Sequence, residues 1–111
     1  MFKFANKRRV LWPVTISVPT DDGSGEIKEH TVKVQFELLT RTEAKAIQEE
    51  PEDGESVLPD KVKGWEGIAD EDGNDIEFSS GTLKALLDVP YIERAFAIGL
   101  LQASNGAPAK N

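Results

Sequence analysis

The chain has 111 residues, a mass of 12.2 kDa and a formal net charge of −7 from 13 basic and 20 acidic side chains. That length holds one domain with one modest core, and the acidity opposes binding to nucleic-acid backbones or anionic lipid. With no cysteine and a single histidine, the chain has no disulfide framework, no thiolate metal site, no cysteine nucleophile and no multi-histidine cluster.

The charge is unevenly placed. Residues 1–20 hold Lys3, Lys7, Arg8 and Arg9 and no acid, a charge of +4, while the remaining 91 residues sum to −11. We read residues 1–9 as a flexible basic arm with Phe2 and Phe4 available for docking. A secretion signal does not fit. The apolar stretch Val10 to Val18 is broken by Pro13, Thr15 and Ser17, and Pro19-Thr-Asp-Asp22 follows in place of a small-residue cleavage site. No apolar run approaches the roughly 18 residues of a membrane span.

Residues 10–18 alternate strictly, with Val10, Trp12, Val14, Ile16 and Val18 on one side. This period predicts a strand. Pro13 cannot donate to a ladder, so the strand belongs at an edge or carries a bulge. Residues 31–38 alternate the same way through Val32, Val34, Phe36 and Leu38. Between them lies the turn-forming run Pro19 to Gly25. The pair predicts a long antiparallel hairpin with one apolar face, which needs a cover.

Thr40-Arg-Thr-Glu43 fits a capping box and predicts a short helix ended by Pro51. Residues 49–60 hold six acids and no base, and are read as an acidic loop. Leu58, Val62 and Trp65 fall at helical spacing, predicting a short helix over 58–65 that Gly64 can end. Residues 66–78 carry two short apolar pieces around Asp70-Glu-Asp-Gly73-Asn74-Asp75, a small hairpin or a turn packed on the core. Ser79 or Ser80 can cap the next helix, with Leu83, Leu86 and Leu87 on one face. Pro90 suits the first position of the last helix. Its stripe is Ile92, Ala95, Phe96, Gly99, Leu100 and Ala103, and a glycine there implies close packing of another element. Residues 104–111 read as an uncapped, disordered tail. The fold expected is α+β: the hairpin packed against the C-terminal helices in one domain over 10–103.

Each candidate for chemistry has a plainer explanation. The Asp70–Asp75 cluster fails as a calcium loop, because its glycine is fourth where the motif needs it sixth, and the twelfth residue is Gly81. It reads as a polar turn. His30 follows Glu29 just before a strand; a catalytic dyad would need it near a nucleophile or a paired acid, and a single histidine in a hairpin reads as a surface residue. Gly23-Ser24-Gly25 lacks the lysine–hydroxyl pair of a phosphate loop. Lys7-Arg8-Arg9 faces too acidic a body to suit nucleic acid. Trp12 and Trp65 are expected in the core. No motif supports an enzyme; no catalytic, cofactor-binding or metal-binding residue is assigned, and no cofactor is expected.

The wording of the segments goes further. The strand opening Arg9-Val-Leu-Trp-Pro13-Val-Thr-Ile16 is followed by His30-Thr-Val-Lys-Val-Gln-Phe36. The more specific run is Val62-Lys-Gly-Trp65-Glu-Gly-Ile68, then Asp70-Glu-Asp-Gly73 and Ile76-Glu-Phe78-Ser. With the Leu83–Leu87 helix, Pro90 and the closing helix, these resemble the small tail assembly chaperones of long-tailed bacteriophages and prophages, over about residues 8–103. The resemblance implies a non-enzymatic protein in the bacterial host cytoplasm. It would bind the tape measure protein, keep its apolar helices soluble, help recruit tail tube subunits, and be absent from the mature virion. Many such chaperones also exist in a longer form made by ribosomal frameshifting. Ala109-Lys110-Asn111 can be encoded by GCA-AAA-AAC, which contains a slippery heptamer, so a frameshifted partner form is a hypothesis that the codon for Lys110 decides. The alternative is a structural tail component, a tube or connector subunit retained in the virion.

Overall fold

The computed structural model describes residues 1–49 and 57–108. Most of the acidic loop, with Pro51, and the tripeptide 109–111 lie outside the described residues. The elements are β1 (Arg9–Pro19), β2 (Ile27–Glu37), α1 (Arg41–Glu49), β3 (Val62–Glu66), α2 (Ser80–Leu87) and α3 (Pro90–Ser104). The architecture is α+β, as expected: an N-terminal hairpin packed against C-terminal helices.

The hairpin pairs Arg9 with Glu37 through Pro19 with Ile27. Alternation places Val14, Ile16, Val32, Val34 and Phe36 on the buried face. The first four residues of β2, Ile27 to His30, lengthen the hairpin past the expected start and are exposed. Thr20 N donates to Glu26 O at 3.0 Å, and Leu38 N to Arg8 O at 2.9 Å, bracketing the ladder at both ends. Both are partners in one antiparallel register, so the even-numbered residues of β1 bond to β2. The odd-numbered ones turn their amides to the open side. Pro13 is odd, and its missing N–H therefore falls on the free edge of the sheet, whose order is β1-β2-β3.

The third strand corrects the helix expected over 58–65. The helix stops after a turn at residues 57–61, and Val62–Glu66 instead pairs antiparallel with β2. The spacing of Leu58, Val62 and Trp65 suits a helix, but β2 has a second edge to satisfy, and a β-branched residue beside Phe36 fills it. Leu58 and Val62 are both buried. Register shifts between Gln35 and Phe36, which makes Lys63 the extra residue of a bulge. Gly64 does not end a helix; it sits opposite Gln35.

α3 lies along β1 and supplies Phe96 and Leu100, both fully buried. Phe96 meets Phe36 edge-to-face with centroids 6.4 Å apart. A Cβ on Gly99 would stand 2.8 Å from Val14 Cγ2, so the missing side chain is what lets helix and strand close. α2 leans chiefly on α3 and adds Leu83 and Leu87 to the same core. Ser79 caps α2 in a reciprocal box with Thr82, and Pro90 opens α3. The end of α3 corrects the uncapped tail. Gly106 takes φ +70°, its N–H reaches Ala103 O, and Ala107 N reaches Gln102 O at 2.9 Å. These bonds form a Schellman cap. Ser104 belongs to the helix, and its Oγ accepts from Leu39 N at 2.9 Å.

Candidate interaction surfaces

The turns spend their polar groups on themselves. Gly23 and Gly25 adopt φ of 83° and 75°. Asp22 Oδ1 accepts from Ser24 Oγ at 2.6 Å, Ser24 N at 2.9 Å and Thr20 Oγ1 at 3.0 Å. Those bonds, the Ser24 hydroxyl first, hold the Asp22 carboxyl below its ordinary value. In the second turn Asp70 Oδ1 accepts from Asp72 N and Asn74 N, and Ala69 bridges to Asp75. Of the two forms expected, a small hairpin or a turn packed on the core, this is the small hairpin, with an exposed tip. Among the described residues no group of three or more His, Asp or Glu side chains is placed to hold a metal ion. His30 stands exposed on β2 opposite Ile16.

One polar constellation gives no sign in the sequence. Lys61 is buried, with Nζ 2.9 Å from Glu37 Oε2 and 2.9 Å from Glu43 Oε2. Glu43 divides its oxygens: Oε1 accepts from Thr40 N at 2.9 Å, completing the predicted capping box with Thr40 Oγ1, and Oε2 takes Lys61. One ammonium thus ties β2, α1 and the root of β3 together. Burial drives the Lys61 ammonium down, and the two glutamates more than reverse it, so its pKa is raised. The Lys61 hydrogen bond holds Glu37 below its ordinary value. Burial pushes Glu43 up, and the Thr40 amide with the Lys61 ammonium brings it below. The spacing in sequence hides the cluster, because no local pattern marks a charged residue as buried.

Among the described residues clefts open along the helices, two of them with apolar walls. The first, about 220 Å³, runs between β1 and α3, with Pro13, Val14 and Ser17 on the strand side and Arg94, Ile98 and Gly99 on the helix side. Ile98 is 44% exposed there. The second, about 750 Å³, lies where the helical turn at 57–61 meets α2 and α3. Pro59, Leu83 and Leu87 give it apolar walls; Asp60, Asp88 and Glu93 give it carboxylates, against one base, Lys84.

Both tryptophans are half-buried and packed on the core, as expected. Trp65 Nε1 donates to Ile76 O at 2.7 Å, and the ring meets Phe78 edge-to-face at 5.0 Å. Trp12 Nε1 is buried and has no hydrogen-bond partner among the described residues. In the N-terminal segment Phe2 and Phe4 are 85% and 78% exposed, and regular structure starts at Arg9, inside the span read as the arm. No helix among the described residues is long and apolar enough to cross a membrane.

Comparison with known protein families, with curated proteins and with solved structures returned no match.

Proposed function

We propose that this chain is a tail assembly chaperone of a long-tailed bacteriophage or prophage. It works without catalysis in the host cytoplasm, binds the tape measure protein, keeps its apolar helices soluble and helps recruit tail tube subunits. The observation that carries the reading is the resemblance, whose most specific run is Val62 to Ser79. Two physical features support it. The cleft between β1 and α3 offers an exposed Ile98 above a small-residue floor at Gly99, a place for an apolar helix to lie. The acidic body supplies charge that keeps a complex with a sticky partner soluble.

Co-expression with the tape measure protein encoded beside it tests the proposal. The expected outcome is a soluble complex that co-purifies, and an insoluble, unbound tape measure protein overturns it. The open edge of β1 favours the alternative of a structural subunit, since an edge strand can pair with a neighbour. Pro13, at the middle of that edge, works against such pairing. Mass spectrometry of purified virions separates the two, because a stoichiometric amount of this chain in mature particles sinks the chaperone reading.

A further inference from the structure

We infer that the cleft between α1 and the end of α3 is a docking site for an acidic, extended segment of a partner protein. This third cleft, about 430 Å³, has Arg41, Ala44, Lys45 and Gln48 of α1 on one side and Ser104 and Asn105 on the other. Those α1 positions recur every three or four residues, so one face of the helix fronts the cleft. The chain has a net charge of −7, and each of the other two clefts holds at least one carboxylate. This one is lined by two cations and, among the described residues, by no acid. Arg41, Lys45 and the side-chain amides of Gln48 and Asn105 can all donate. Ser104 Oγ accepts from Leu39 N and still has its own proton to give. A set of donors fits a ligand that only accepts, and an ionised carboxylate is such a ligand.

The cations are not spent inside the fold. Arg41 makes no ion pair among the described residues, and Lys45 meets Glu49 at 3.9 Å with both side chains mostly exposed. Such a pair is too loose to commit the lysine. Glu43, the acid in the first turn of α1, accepts from Thr40 N with one oxygen and holds Lys61 with the other. The carbonyls ending α3 are served by their own chain: Asn105 N donates to Leu101 O, Ala107 N to Gln102 O and Gly106 N to Ala103 O. Arg41 and Lys45 are therefore not needed there. Residues four apart on a helix stand about 5–6 Å apart, and alternate side chains of an extended chain stand about 6.5 Å apart on one side. Carboxylates at alternate positions of an extended segment thus reach both cations together. A nucleic-acid strand would carry its charge past the cleft and along the acidic body, which a short acidic segment does not. This inference goes beyond the proposed function and does not rest on it.

The test is a titration of the full, isotope-labelled chain with an end-capped hexaglutamate peptide, followed by amide NMR shifts. The expected result is saturable shifts confined to residues 39–48 and 102–106, around the cleft. Affinity falls as salt rises, and end-capped hexaglutamine moves nothing. R41E/K45E is expected to weaken binding about tenfold or more. Should that protein fail to fold by circular dichroism, R41Q/K45Q removes the cations without reversing them and is expected to weaken binding about fivefold or more. Four results overturn the inference: no shift at millimolar peptide, shifts that map elsewhere, an affinity that removing the two cations does not change, or an oligothymidylate that binds the same residues as tightly as hexaglutamate. None of these uses the tape measure protein, so the chaperone reading stands or falls separately.

Discussion

The hairpin with α3 and the region from α1 through the turn at 78 are held by different forces. The first is an apolar contact: Val14, Val34 and Phe36 on the sheet meet Phe96 and Leu100 on the helix, all essentially inaccessible. The second adds directed polar bonds to the apolar anchors Leu58 and Val62. α1 buries no residue fully, and its tie to the sheet is Glu43 on Lys61. The turn after β3 is closed by Asp70 and by the Trp65 indole on Ile76 O. Apolar packing is indifferent to pH and falls as a unit. Polar ties fail one at a time and respond to protonation. The difference predicts separable losses.

The largest effect belongs to the apolar side. Phe96→Ala removes the ring at the sheet–helix contact and is expected to cost about 3–5 kcal/mol, close to the whole stability of a small domain. Urea denaturation should show one cooperative loss; a loss under about 1 kcal/mol would mean that α3 is not the keystone. Next comes the clamp. Lys61→Met leaves two carboxylates facing each other beside an apolar stem, with an expected cost of about 2–3 kcal/mol. The pH dependence follows from the shifts. Glu37 and Glu43 are lowered, so their contribution is present above the ordinary 4.5 and lost as pH falls through their folded values. Lys61 is raised, so its contribution is present below the ordinary 10.5 and lost as pH rises through its folded value. In Lys61→Met the glutamates gain by protonation, so the gap to wild type should close in acid. A gap that stays constant from neutral to acidic pH refutes the clamp.

A smaller effect tests the closeness of the apolar contact. Gly99→Ala gains about 1 kcal/mol in helix propensity and loses about 2–3 kcal/mol to the clash with Val14. The net is a mild destabilisation. Adding Val14→Ala opens the space, so the double variant should cost less than the sum of the singles. Strict additivity would show that glycine is there for another reason.

What the sequence made legible follows the same division. Alternation exposed β1 and β2, and the Thr40–Glu43 and Ser79 signals marked two helix starts, because each rests on neighbours in the chain. Pro13 announced an edge strand, and Gly99 a close contact. β3 was hidden. Val62 and Trp65 fit a helical period equally well, and only the unfilled side of β2 decides between the two. The Lys61 clamp was hidden for a similar reason: Glu37 and Glu43 reach it from other elements. The cap of α3 was missed although Gly106 is its usual signal, because the polar residues around it suggested a free tail. The second cleft draws on three separate stretches of chain, so no local spacing foretold it.

The two tryptophans give the smallest and sharpest comparison. They are similar in burial and differ in what the indole N–H does. Trp65→Phe removes a bond to Ile76 O and leaves a backbone acceptor without its donor, so it is expected to cost about 1 kcal/mol beyond the lost ring area. The loss should be local, seen as faster hydrogen exchange at the amides of the turn over 67–78, including Ile76 N, which donates to Ile68 O. Trp12→Phe removes a buried donor that satisfies nothing among the described residues. Relief of that desolvation offsets the smaller ring, and the net change should lie within about 0.5 kcal/mol of zero. Equal losses at the two positions would show that ring area alone governs both, and that the bond to Ile76 does not fasten the turn to the sheet.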